Sequence, residues 1–169
     1  MKMENRLKAL LAGLSLLALT WVTSAHAAAT TILIPAQIPY KEADTANDDV
    51  RKECDWNSKM PRYLAAESEG LVRVSDAPLA ESKEKKLLLV ATHLHTAGGG
   101  GFSGPKWLVL EGELFEGGKL LGNFQVRRQT MRGSLRGCNT LVSLGEEITK
   151  DILEWLEDPV MNAKLGDAK

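Results

Sequence analysis

Two histidines placed two residues apart are the first candidates for chemistry in this sequence. His93 and His95 belong to the stretch 87–96, whose apolar first half is typical of a central β-strand. Residues two apart in a strand share one face, so both imidazoles would point the same way. With Glu111 or Glu113 on a neighbouring strand they could bind Cu or Zn. No third ligand is set by the spacing, so two half-exposed histidines with no metal are the competing interpretation.

A glycine-rich stretch follows the histidines. Residues 98–101 are all glycine, and Phe102, Ser103 and Gly104 come next. A phosphate-binding loop ends in Gly-Lys-Ser/Thr and precedes a helix, whereas this stretch lacks that ending and a strand pattern follows it. The sequence therefore predicts a flexible connection, in which Phe102 is a candidate for contact with a partner.

Nucleophilic catalysis finds little support in the sequence. Ser134 lies between Gly133 and Leu135 and lacks the G-x-S-x-G pattern of a nucleophile elbow. We therefore predict a protein that is not an enzyme and uses no cofactor. A hydrolase with an unrecognised site is kept as an alternative.

Charge is distributed unevenly along the second half of the chain. Residues 117–145 contain no acid, whereas residues 146–158 carry six acids against Lys150. Arg128, Arg132 and Arg136 could present guanidinium groups to an anionic partner. The competing interpretation is internal pairing of these arginines with the acidic helix that follows.

The elements that position these residues follow from periodicity and turn signals. Strands are predicted at 32–34, 71–75, 87–96, 107–115 and 119–130. A first helix starts after Asn47, is kinked or restarted by Pro61 and ends at Gly70. A last helix carries an apolar stripe and stops at Asp158. The order β-α-β-β-β-β-α predicts an α+β fold, with a mostly antiparallel four- to five-stranded sheet and two helices packed on one face. The predicted stripe is Leu141, Leu144, Ile148, Ile152 and Trp155.

The hairpin between the last two strands has two possible registers. A two-residue Gly-Gly turn would pair Leu110 with Gln125, whereas a three-residue loop pairs Leu110 with Phe124. The second choice brings apolar residues together and leaves the polar residues of both strands on the other face. We therefore predict the three-residue loop, with Gly118 in the left-handed region.

The first 27 residues have the three parts of a secretory signal. A basic start is followed by an apolar run from 9 to 22 and by Ala25-His26-Ala27, which fits a cleavage site. The run is shorter than the roughly 20 residues of a spanning helix, so a retained anchor is the weaker alternative. We predict cleavage after Ala27, a periplasmic location and no stable membrane anchor thereafter. The domain plan is a signal peptide at 1–27, an extension with a short strand at 28–46, one domain at 47–160 and a flexible tail at 161–169.

The mature chain would be close to neutral. It keeps 18 basic residues (21 − 3) and 21 acidic residues (22 − 1), a net charge of −3. This balance does not favour binding to nucleic acid or strong attraction to an anionic membrane.

Cys54 and Cys138 are the only cysteines. In an oxidising compartment an even pair is expected to be bridged, and two separate buried thiols are the alternative. A bridge would tie the starts of the two predicted helices together.

Short stretches spread over the second half of the chain form a recognisable pattern. They are 98–101, 103–106, 112–114, 118–119, 127–128, 137–138, 144–145, 150–152 and 155–156, with 53–54 upstream. In these stretches the chain resembles a family of uncharacterised proteobacterial envelope proteins, similar to the domain of unknown function DUF4410. The resemblance implies a fold similar to the small α/β sandwich domains of envelope assembly factors, and it implies no activity.

The prediction for function is therefore a non-enzymatic periplasmic protein that binds a protein or another envelope component. Periplasmic metal binding through His93 and His95 is the alternative from a different class.

Overall fold

In the part of the chain that the structure describes, a six-stranded mixed sheet and three helices form the fold. The structure, a computed structural model, describes residues 30–96, 104–131 and 137–168. The buried residues of the helices and strands make one apolar cluster, so the predicted α+β class is confirmed. In chain order the elements are β1 (Ile32–Pro35), α1 (Asp48–Glu53), α2 (Trp56–Glu67), β2 (Val72–Ser75), β3 (Lys86–His95), β4 (Lys106–Glu116), β5 (Lys119–Thr130), α3 (Gly137–Glu157) and β6 (Ala163–Gly166).

The strand order is β2-β1-β3-β4-β5-β6, and the direction of pairing changes across the sheet. The central strands β3, β4 and β5 are antiparallel, as predicted. At the edges, β1 is parallel to both β2 and β3, and β6 is parallel to β5. The expectation of four or five strands was therefore too low. The β1–β2 and β5–β6 pairings are parallel because a helical crossover, α1 and α2 in one case and α3 in the other, returns the chain to the sheet in the same direction.

The C-terminal residues are ordered as an edge strand, which corrects the predicted flexible tail. Ala163 pairs with Phe124 and Leu165 with Val126. The backbone N–H of Gln129 donates to the Asp167 carboxylate at 3.0 Å, which fastens the far end. Only two apolar residues, Ala163 and Leu165, alternate in this strand, and that is too short a pattern to separate it from a loop in the sequence.

The first predicted helix is two helices, and the break lies before the proline. The Asn47 side chain caps α1 by accepting the Val50 N–H at 2.9 Å, and the backbone becomes extended at Cys54. Cys54 is bonded to Cys138, which confirms the predicted disulfide. α2 then runs through Pro61 without a break.

Pro61 affects the fold through the helical hydrogen bond that it cannot donate. It has no amide hydrogen, so the carbonyl of Asn57 four residues earlier loses its partner within the helix. The backbone N–H of Ile38 donates to that carbonyl at 2.9 Å. The Asn57 side chain donates back to the Ile38 carbonyl at 3.2 Å. These two bonds attach the segment after β1 to α2.

The last helix packs as its apolar stripe predicts. All five predicted stripe residues are buried. Trp155 lies edge-on to Phe124, with ring centroids 4.8 Å apart. A Cβ atom at Gly122 would come within 2.8 Å of the Trp155 ring, so glycine permits the close approach of helix and sheet there.

The β4–β5 hairpin does not use the predicted three-residue loop. Its turn is Gly117-Gly118, with both φ angles positive, as a type I′ turn requires. The register then shifts beside Leu121, so that Leu110 faces Val126 and not Phe124. This bulge moves the apolar residues of β5 back to the helix face after the two-residue turn. Phe124 and Val126 therefore share the buried face with Leu110, as predicted, although the register was wrong and Leu120 pairs with Phe115 instead of Leu114.

Candidate functional site

The segment that continues β1 separates from β3 between two points of pairing. They pair at Leu33 and Lys86, and the chain rejoins β3 where Tyr40 pairs with Ala91. Seven residue steps separate Leu33 from Tyr40, whereas five separate Lys86 from Ala91. Pro35 cannot continue the ladder, because it has no N–H to donate. The extra residues therefore bow the segment 35–39 away from β3.

The gap opens into a groove of about 560 Å³, which extends over the sheet face opposite the helices. We call this side of the sheet the outer face. Half-buried Leu88 and Val90 form the apolar floor of the groove, and Pro35, Gln37 and Pro39 form one wall. This volume lies within the range of small-molecule and peptide pockets.

The crossover 76–85 from β2 to β3 forms the end of the groove, and a buried lysine holds it in place. Leu79 and Ala80 line the groove, and Leu79 is buried. The Lys86 ammonium donates to the carbonyls of Leu79 at 2.6 Å and Ala80 at 2.7 Å. Because these acceptors satisfy a buried cation, the crossover is fixed where it borders the groove.

The groove wall on β4 carries its charge. Glu111 and Glu113 are the only ionisable side chains that line the groove in the described structure. Lys41 reaches Glu111 from the rim, with Nζ 2.9 Å from Oε2. This hydrogen bond and the charge of Glu111 raise the pKa of Lys41. Glu113 is exposed and has no ion-pair partner among the described residues.

Tyr40 anchors the rim from the opposite side of the sheet. Its hydroxyl accepts a hydrogen bond from the indole N–H of Trp56 at 3.1 Å, and the guanidinium of Arg51 lies 4.4 Å from its ring centroid. Burial raises the pKa of Tyr40 above its ordinary value. Consecutive residues of one extended segment thus hold the core and the groove, because their side chains alternate between faces.

The two histidines lie on exposed strand positions away from the groove. A bulge in β3 places His93 opposite Val109, not opposite a glutamate. His95 stacks on Trp107, with centroids 4.4 Å apart. In residues 30–96, 104–131 and 137–168, no three His, Cys, Asp or Glu side chains converge to hold a metal ion. The arrangement gives the metal-binding alternative no support.

Arg128 is engaged within the protein. Its guanidinium forms two hydrogen bonds with the Asp151 carboxylate, Nε to Oδ2 at 2.7 Å and Nη2 to Oδ1 at 2.5 Å. The hydrogen bond with Asp151 raises the pKa of the Arg128 guanidinium above its ordinary value. This is the internal pairing with the last helix that competed with partner binding. The other predicted partner-binding residues, Phe102, Arg132 and Arg136, lie outside the described residues.

Sequence analysis missed the groove. Pro35 and Pro39 were the available signal, since two prolines in an extended segment interrupt ladder hydrogen bonding. Pairing of β1 with β3 across 50 residues of chain could not be read from the pattern. Among the described residues, no helix has both the length and the apolar character that a membrane span requires.

Comparisons with known proteins find likeness in structure and none in sequence. No family model matches the chain, and no curated protein matches it. An uncharacterised protein of known crystal structure is 15% identical, with a TM-score of 0.54 over 75% of this chain and 92% of that chain. XCC0632 from Xanthomonas campestris, of the uncharacterised family DUF330, is 12% identical, with a TM-score of 0.46 over 76% and 83%. The PelC dodecamer from Paraburkholderia phytofirmans is 14% identical, with a TM-score of 0.40 over 70% and 84%.

At these identities the likeness concerns the fold alone. The neighbour with the TM-score of 0.54 shares the α+β architecture. The specific resemblance to DUF4410 receives no support, because no family model matches the chain.

Proposed function

We propose that the protein is an exported, non-enzymatic domain that binds another component of the cell envelope through the outer-face groove. The observation that carries the proposal is the groove itself. It combines an apolar floor, amide groups and two carboxylates on a face that none of the three described helices covers. Such a combination of apolar surface and a few placed polar groups is typical of binding sites.

The side chains that line the groove favour binding over catalysis. Among the described residues, its lining includes no Ser, Thr, Cys or His, so a hydrolase with a hydroxyl or thiol nucleophile gains no support from this site.

Export is supported by two independent features of the chain. The first is the secretory pattern of residues 1–27. The second is the disulfide between Cys54 and Cys138, which is the expected state of paired cysteines in an oxidising compartment. We expect the protein in the periplasm to lack residues 1–27 and to resist alkylation at both cysteines until a reductant is added. Intact leader on cytosolic protein with alkylated thiols would contradict export.

Site-specific photocrosslinking in the native host tests the binding role. A benzophenone amino acid at Gln37, which is exposed and lines the groove, is compared with the same group at Ala66 on the exposed side of α2. We expect a defined adduct with one envelope component from position 37 only. Equal adduct patterns from both positions, or none from position 37, would refute the groove as the binding surface.

A further inference from the structure

We infer that the groove binds an extended polypeptide segment that carries basic side chains at alternate positions. This inference rests on the proposed function, because it names the chemistry of the partner. The charge of the groove is the first argument. The described side chains that line it include two carboxylates and no cation, so a basic ligand complements it better than an acidic one.

The spacing of the carboxylates is the second argument. Glu111 and Glu113 share one face of β4 and are two residues apart. A strand rises about 3.3 Å per residue, which separates the two side chains by roughly 7 Å. An extended peptide repeats its own side chains at the same interval. A segment along β4 with basic residues at positions i and i+2 can therefore give one cation to each carboxylate.

Lys41 supplies an example of this recognition within the chain. It belongs to an extended segment that bonds to Ala91 through main-chain groups, at 2.9 Å from the Ala91 N–H to the Pro39 carbonyl and 2.8 Å from the Lys41 N–H to the Ala91 carbonyl. From this segment its ammonium reaches Glu111. The Lys41 side chain is 50% exposed, so its ion pair is held weakly and a ligand cation can replace it. Glu113 has no such lysine in the described structure.

The apolar floor fits the stems of basic side chains. In the β3–β4 register Leu88 lies opposite Glu113, and Val90 lies opposite Glu111. Each carboxylate thus has an aliphatic neighbour, against which the methylene groups of Lys or Arg can pack while the charged end meets the acid. The amide of Gln37 borders the same space and can bond to a peptide backbone, whereas the Asn123 amide is hydrogen-bonded to Asn162.

Selection from a peptide array tests the inference. The probe is an array of amidated hexapeptides randomised at every position, incubated with labelled disulfide-bonded protein. We expect Lys or Arg to be enriched at alternate positions. Against a selected peptide at low salt, Glu113→Gln should lower affinity by about two- to fivefold, since one exposed ion pair is lost. Lys41→Ala should raise affinity, because it frees Glu111. Glu116→Gln, an exposed acid of β4 outside the groove, should leave affinity unchanged.

The outcomes separate this inference from the proposed function. Selection without basic residues, or equal affinity for Glu113→Gln and the native protein, would overturn the inference. Binding to phosphatidylglycerol vesicles that Leu88→Asp abolishes would overturn it in favour of a lipid surface. An adduct from position 37 without selection of basic peptides keeps the proposed function and refutes the peptide. Selection of basic peptides without that adduct keeps the peptide chemistry and refutes the cellular role.

Discussion

The two faces of the sheet are built from the same strands, but one packs in the core and the other forms the groove. On the helix face, Leu87 and Leu89 are buried in one core with α2 and α3, whereas on the outer face Leu88 and Val90 stay half-exposed on the floor of the groove. Alternation along β3 sends neighbouring residues of the same type to opposite faces. Changes on the helix face should therefore affect stability, and changes on the outer face should affect binding.

The largest expected loss of stability comes from the disulfide, which joins the helices on the helix face. Replacing both cysteines by alanine opens a loop closed across 84 residues of sequence, so the free energy of unfolding should fall by about 4–5 kcal/mol in the chain-entropy account. Urea unfolding of the variant and of the native protein measures this difference. Native protein unfolded in the presence of reductant should have the same free energy of unfolding as the variant. A loss below about 1 kcal/mol would mean that the disulfide contributes little to the stability of the packed helices.

Leu89→Ala and Leu88→Ala form a matched pair across the sheet. Leu89→Ala leaves a cavity in the core and should lower the free energy of unfolding by about 2–5 kcal/mol. Leu88→Ala removes a half-exposed side chain and should cost less than about 1.5 kcal/mol. Denaturant midpoints measured side by side give the comparison. Equal losses would show that the outer face is part of the core.

Asn57 connects the two faces, because its contacts with Ile38 hold the groove wall. Asn57→Ala removes the donor to the buried Ile38 carbonyl, so the free energy of unfolding should fall by about 1–3 kcal/mol. Hydrogen exchange at the Ile38 amide should also become faster. Arg62→Ala, an exposed change on the same helix, is the control and should stay within about 0.5 kcal/mol of the native protein.

Tyr40 gives the smallest effect, which concerns alkaline pH. Burial raises its pKa above 10.0 in the folded protein, so its contribution to stability is full below pH 10.0 and is lost as the pH rises through the raised value. A tyrosinate absorbance titration should show one of the two tyrosines ionising late. Tyr40→Phe should remove that late step. A late step that persisted in Tyr40→Phe would contradict this assignment.

The sequence was most informative where a single pattern decides an element. The apolar stripe of α3 and the alternation in β4 and β5 predicted which residues are buried, because helix and strand periods separate the faces. The disulfide followed from the number of cysteines and the predicted compartment. Each of these inferences uses residues that are close in the chain or unique in type.

Long-range pairing was the part that the sequence could not supply. The return of Tyr40 to β3, the parallel pairing of β6 and the bulge at Leu121 each depend on contacts with another strand. Arg128 was predicted to meet a partner or to pair with the last helix, and only packing shows that Asp151 binds it. The groove depends on the same kind of contact, since the segment 35–39, which is distant in sequence from β3 and β4, forms its wall.

The most direct test of the two-face account combines both measurements on neighbouring residues. Leu88→Ala and Leu89→Ala are each introduced into protein that carries the photocrosslinker at Gln37, and adduct yield in cells is compared with stability in urea. The account predicts that Leu88→Ala loses most of the adduct and keeps its stability, whereas Leu89→Ala loses stability. Full adduct yield from a stable Leu88→Ala protein would contradict the account, because the floor of the groove would then take no part in binding.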